Sequence, residues 1–140
     1  MNLEEFIETN YPLNILLKYL EEDDKLEIIK YYENAKSDAK FGYLSIKNYL
    51  NKNNNILEIG GGLHFLSSYL EYEGYKIQSI ECGGFQNYVD RMREFILLKN
   101  KSLEIHNQTL EEYATNSNEK FDFIFYNNFG KLNNFFSTFF

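Results

Sequence analysis

An acid leading into a run of glycines, Leu57-Glu58-Ile59-Gly60-Gly61-Gly62, and a second acid, Glu81, about twenty residues further on, are the residues best placed to do chemistry. Glycines at the end of a strand let the backbone turn sharply into a helix and let a ligand approach the main chain closely. The start of that helix adds N–H groups and a positive dipole end. Such a site suits a nucleotide or the carboxylate of an amino acid. A carboxylate at the end of the next strand, as at Glu81, can accept hydrogen bonds from two ribose hydroxyls. His64, Tyr126 and Asn127 are the candidate catalytic side chains, and the His64 ring is of a type suited to proton transfer. His106 reads as structural. Cys82 reads as a small buried residue, since no cation flanks it to favour a thiolate. Two histidines and one cysteine make no metal cluster, so no metal is expected.

The elements that must hold these residues follow from periodicity. Residues 1–52 read as helical. Leu3, Phe6 and Ile7 mark a first helix, and Pro12 opens a second that carries Leu13, Leu16, Leu17 and Leu20. The acidic cluster Glu21-Glu22-Asp23-Asp24 is a break or a helix start, after which Leu26, Ile29 and Tyr31 or Tyr32 continue the period. A further helix is expected over 38–50, with Phe41, Leu44, Ile46 and Tyr49 buried, and Lys52-Asn53-Asn54-Asn55 is a polar turn. Ile56–Ile59 then reads as a buried strand, and Leu63, Leu66, Tyr69 and Leu70 as a helix face capped by Gly74. Residues 75–81 form a second strand. Phe85, Tyr88, Val89, Met92, Phe95 and Ile96 form an amphipathic helix, and residues 102–107 a weak third strand. Residues 110–114 make a short helical turn and 121–127 a fourth strand. Alternating strands and helices imply an α/β domain with a parallel sheet, and apolar strands imply a sheet covered on both faces.

The glycine run does not suit a dinucleotide fingerprint. Counting G-x-G-x-x-G from Gly60 puts Phe65 where glycine or alanine is wanted, which disfavours a dinucleotide oxidoreductase. Glu58-x-Gly60-x-Gly62 instead resembles the first motif of the class I S-adenosylmethionine-dependent methyltransferases, with His64 in the place of a third glycine. Ser79-Ile80-Glu81 resembles the end of that family's second strand. Thr109-Leu110-Glu111 resembles its adenine-side segment, and residues 120–128 its fourth strand. The similarity spans about residues 53–129. It implies a Rossmann-like sheet in the order 3-2-1-4, with residues 1–52 as a helical cap and 53–140 as the core of one domain. It implies S-adenosyl-L-methionine as cofactor. Glu58 would organise the loop or reach the cofactor's amino group through water. Gly60, Gly61 and Gly62 would make room for the methionine moiety, Glu81 would hold the ribose, Thr109 and Leu110 would flank the adenine, and Asn127 would face the methyl group. Tyr11 or Tyr43 of the cap would approach the pocket. Tyr126-Asn127-Asn128-Phe129 is weakly similar to the Asn/Asp-Pro-Pro-aromatic motif of amino-group methyltransferases, without the prolines.

Bulk properties narrow the class. The 140 residues are 44% hydrophobic and 18% aromatic, enough for one packed domain and too apolar for disorder. A net charge of −7 with scattered lysines and arginines argues against nucleic acid and for an uncharged or cationic small-molecule acceptor. With no signal-like or membrane-spanning run, a cytoplasmic location is the default and no membrane association is expected. The family's strands beyond the fourth are not found, so strand four is expected to be an edge; the chain is read as a truncation, as a form that binds a second copy or a partner subunit there, or as one whose edge is covered by a Phe-rich helix over 130–140. Two functions stand side by side: a methyltransferase or its cofactor-binding part, and a non-catalytic nucleotide-binding or assembly subunit.

Overall fold

The computed structural model describes residues 1–20, 24–82 and 87–126, without the side chain of Asn87. The N-terminal helices are α1 (Leu3–Asn10), α2 (Leu13–Tyr19) and α3 (Lys25–Ile46), followed by a 3-10 turn at Lys47–Tyr49. Polar caps set their starts. The Asn2 side chain accepts from the Glu5 N–H, and Asp24 accepts from the N–H groups of Leu26 and Glu27. Pro12 sits at the N-cap of α2, one place earlier than expected, and its carbonyl accepts from Ile15 and Leu16. Residues 21–23 of the expected acidic break lie outside the described residues.

From Asn55 onward strands and helices alternate: β1 (Asn55–Ile59), α4 (Phe65–Tyr72), β2 (Lys76–Ile80), α5 (Asn87–Lys99), β3 (Glu104–His106), α6 (Leu110–Asn116) and β4 (Phe123–Tyr126). The sheet is wholly parallel, in the order β3-β2-β1-β4, as the resemblance implies, and the arrangement is Rossmann-like. Gly74 ends α4 with φ +97°, its N–H on the Glu71 carbonyl and that of Tyr75 on the Leu70 carbonyl, a Schellman closure. Among the described residues no helix is long and apolar enough to cross a membrane.

The side chains of each strand alternate between two faces. Ile56, Ile77 and Phe125 join Leu66, Leu70, Met92 and Ile96 in the main core, under α1, α3, α4 and α5. On the opposite face Leu57 and Ile80 pack with Tyr113 of α6, and Ile124 of β4 stays half exposed.

The expected break inside residues 25–50 is absent, because α3 runs unbroken for 22 residues. Of the expected buried set only Ile46 packs against the core, and it is partly buried. Phe41, Leu44 and Tyr49 are exposed, as is Leu26, whereas Ile28, Tyr32, Ala39 and Gly42 are buried. Both faces of this helix carry apolar residues, so hydrophobicity alone does not choose between them. The buried face is the one that carries the small residues Ala39 and Gly42, which let neighbouring elements approach closely, and on it the Tyr32 hydroxyl donates to the Tyr11 carbonyl at 2.8 Å.

This register of α3 makes a testable distinction. Ile28→Ala is expected to lower the unfolding free energy by ~2–5 kcal/mol, and Leu26→Ala by at most ~0.5 kcal/mol, both measured by denaturant titration. Equal losses would place α3 in another register.

Candidate functional site

The turn from β1 into α4 runs along the carboxyl end of the sheet. Gly60, Gly62 and His64 all adopt left-handed φ values, +76°, +57° and +61°. The Gly60 N–H donates to the Ile80 carbonyl at 2.9 Å, which draws the loop over the end of β2, and the His64 N–H closes a turn on the Gly61 carbonyl. A left-handed φ costs an ordinary residue ~1–2 kcal/mol, so His64 must be held by its surroundings.

What holds it is a buried polar chain. Glu58 and Ser79 face each other across the β1–β2 ladder, and with His64 all three are fully buried. The Ser79 hydroxyl donates to Glu58 Oε1 at 2.7 Å, and His64 Nδ1 lies 3.0 Å from Ser79 Oγ. His64 Nε2 meets Arg93 Nη2 at 3.4 Å. The same Nη2 donates to Asn107 Oδ1 just beyond β3, and Arg93 Nε donates to the Gly62 carbonyl. Arginine can only donate, so Nε2 of His64 must accept and Nδ1 must carry the proton. The hydrogens then point one way, from Arg93 through His64 and Ser79 to Glu58. Gly61 is required here, since a Cβ would collide with His64 Nδ1, Ser79 Oγ and Glu58 Oε1. At Gly62 nothing among the described residues lies within 4 Å of the corresponding position, so that side of the loop is open to them.

Glu81 closes the arrangement. It is buried, and its Oε1 accepts from the Gly62 N–H at 2.8 Å. Loop and acid, expected separately to hold one ligand, are therefore in contact. Tyr31 of α3 comes near the same acid. Its hydroxyl is pushed above the usual tyrosine range, first by burial and then by the charge of Glu81. Its ring meets Tyr88 of α5 edge-on at 6.3 Å.

Other expected residues have different surroundings. Thr109 and Leu110 begin α6, at the same end of the sheet. The Thr109 hydroxyl accepts from the Glu112 N–H in a capping box, and Leu110 packs beside Leu57 and Ile80. Tyr126 ends β4 opposite Ile59, its hydroxyl pushed up by burial and by the charge of Glu111. Asn127 lies outside the described residues. His64 has both ring nitrogens engaged and no exposure, which makes it a member of the loop's support rather than a base. Tyr11 stacks on Phe65 inside the core, and Tyr43 lies edge-on to Tyr69 with its hydroxyl 3.4 Å from Glu73, at the far end of α4. Tyr31 is the cap residue that approaches Glu81, because the buried stripe of α3 is rotated from the expected one. Cys82 is exposed rather than buried: β2 ends at Ile80, and the thiol lies 3.9 Å from Glu81 Oε2. His106 packs on Tyr113 and bonds Gln78 on the opposite face of the sheet.

Tyr31, Arg93 and Asn107 did not emerge from the motifs, and Ser79 did so only within Ser79-Ile80-Glu81, with no role of its own. Arg93 carried a signal, being a charge inside the apolar stripe of Val89, Met92 and Ile96. A groove of about 460 Å³ lies at the amino end of the strands, between Asn55, Lys76, Glu104 and Phe121. Ligands of open parallel sheets bind at the carboxyl end, so the groove lies at the wrong end to serve the glycine loop.

No family model, curated protein or solved structure matches the chain.

Two measurements test this geometry. Long-range ¹H–¹⁵N NMR of the uncharged His64 ring is expected to find the proton on Nδ1, and a proton on Nε2 would contradict the Arg93 contact. Gly61→Ala is expected to destabilise by ~1–3 kcal/mol through overpacking, and Gly62→Ala by ~1–2 kcal/mol through φ alone. A harmless Gly61→Ala would mean that the buried cluster is looser than described.

Proposed function

We propose that the chain binds S-adenosylmethionine at the carboxyl end of its sheet, as a methyltransferase or the cofactor-binding part of one, acting on a small-molecule acceptor. The observation that carries this reading is the hydrogen bond from the Gly62 N–H to Glu81 Oε1, which joins the glycine loop to the acid at the end of β2. Each carboxylate oxygen has more than one acceptor site, so Glu81, with the Gly62 N–H on Oε1 and the Cys82 thiol near Oε2, can also accept from ribose hydroxyls. The residues present fit such a cofactor. Among the described residues the space beside Gly62 is open to a methionine moiety and no side chain caps the start of α4, whose positive end favours a carboxylate. Thr109 and Leu110 stand on the adenine side.

Bound there, the cofactor supplies an electrophilic methyl group on a sulfonium centre. The chain's own work is to bind and orient. Glu81 would hold the ribose and Gly62 would admit the amino-acid end, while Glu58, behind the loop, would keep its shape through Ser79 and His64. Tyr31 and Tyr88 would help keep water from the acid. Alignment of nucleophile and methyl group accounts for most of what a protein adds to such a displacement.

A second reading, a non-catalytic binding or assembly subunit, is favoured by one observation: β4 is an edge of the described sheet, with Ile124 half exposed beside it. A second copy or a partner chain would cover it.

Calorimetric titration tests the main reading. S-adenosylmethionine and S-adenosylhomocysteine are expected to bind and NAD not to. Glu81→Ala is expected to weaken binding by ~1–3 kcal/mol, the loss of hydrogen bonds to a charged group. A folded sample that binds neither adenosyl compound would end this reading.

A further inference from the structure

Arg93 stands in α5 where an apolar side chain would complete the stripe, and it is 7% exposed. Burying a guanidinium is costly unless its donors are well used. Here the acceptors are Gly62 O, His64 Nε2 and Asn107 Oδ1, none of them a carboxylate oxygen. Yet the group reaches two buried acids through intermediaries. Glu58 is reached through His64 and Ser79. Glu81 is reached through Gly62, whose carbonyl accepts from Arg93 and whose N–H donates to Glu81.

We propose that Arg93 is a positioning residue for the nucleoside: it fixes Gly62 and so aims the Glu81 carboxylate at the ribose. This rests on the cofactor reading above. Gly62 has no side chain, and among the described residues no atom lies within 4 Å of where a Cβ would project, so side-chain packing there does not set its orientation. The two hydrogen bonds at its ends do. Without the one from Arg93, a residue with glycine's freedom can turn, and the Gly62 N–H no longer holds Glu81 Oε1 in place. The task requires a fork, because Nε and Nη2 hold the loop carbonyl and the His64 ring together, which a lysine ammonium cannot reproduce.

The test is a double-mutant cycle on the full chain, titrated with S-adenosylhomocysteine, with thermal melts to establish folding. Arg93→Met is expected to weaken binding roughly tenfold, the loss of one charge-assisted hydrogen bond. Combined with Glu81→Ala, it is expected to add no more than about twofold, because both changes remove the same ribose contact. A purely structural role would give penalties that multiply, which would overturn the proposal and leave the cofactor reading standing. A folded wild type that does not titrate would overturn the cofactor reading and this assignment with it. Should Arg93→Met not fold, Arg93→Lys, which keeps the charge, carries the same cycle and is expected to show the same coupling.

Discussion

The space that a Cβ on Gly61 would need is already filled by His64 Nδ1, Ser79 Oγ and Glu58 Oε1. That crowding is a consequence of sheet register. With β1 and β2 parallel and Glu58 opposite Ser79, both side chains project to the face that the loop must cross on its way into α4. Two buried polar groups side by side must satisfy each other, and the serine hydroxyl does so by donating to the carboxylate. The loop then lies directly over the pair, possible only because Gly61 presents bare backbone. His64 completes the chain from above, in a backbone conformation that few histidines adopt.

From there the constraint spreads outward. Arg93 brings α5 and the residue after β3 into the same cluster, and Tyr31 brings in α3 beside Glu81. The N-terminal helices are therefore more than a cover for the sheet. One of them, α3, carries Tyr31, whose hydroxyl feels the charge of Glu81. Among the described residues the opposite face of the sheet has no such network around the glycine loop. There Gln78, His106, Tyr113 and Glu119 satisfy one another around α6.

The strand–helix alternation from Ile56 to Tyr126 was readable, because apolar runs and glycines follow simple periods. The sheet order came with the resemblance in the Glu58–Gly62 and Ser79–Glu81 segments. The proximity of loop and acid followed from that topology, though not the direct bond between Gly62 and Glu81. Less readable was α3. Its sequence offers apolar residues on two faces, and the choice depends on how closely Ala39 and Gly42 allow a neighbour to approach. Arg93 and Ser79 escaped for a related reason. Arg93 belongs to no motif and Ser79 lay in one without a role, and their importance comes from cross-strand register and helix rotation, which are three-dimensional facts. Cys82 misled because a lone cysteine is more often inside a protein than on its surface.

The pairing of β1 with β4 has a consequence for how the chain acquires its structure. The Asn55 N–H donates to the Asp122 carboxylate, a partner 67 residues away, and the Asp122 N–H donates back to the Asn55 carbonyl. The pairing with β2, which starts at Lys76, is far more local. Closing the longer loop carries the greater entropic cost and rewards the chain last. One side of β1 therefore stays an unpaired strand edge while the helices and the other strands assemble. During that interval the strand that ends in the glycine loop is also the strand most open to wrong partners.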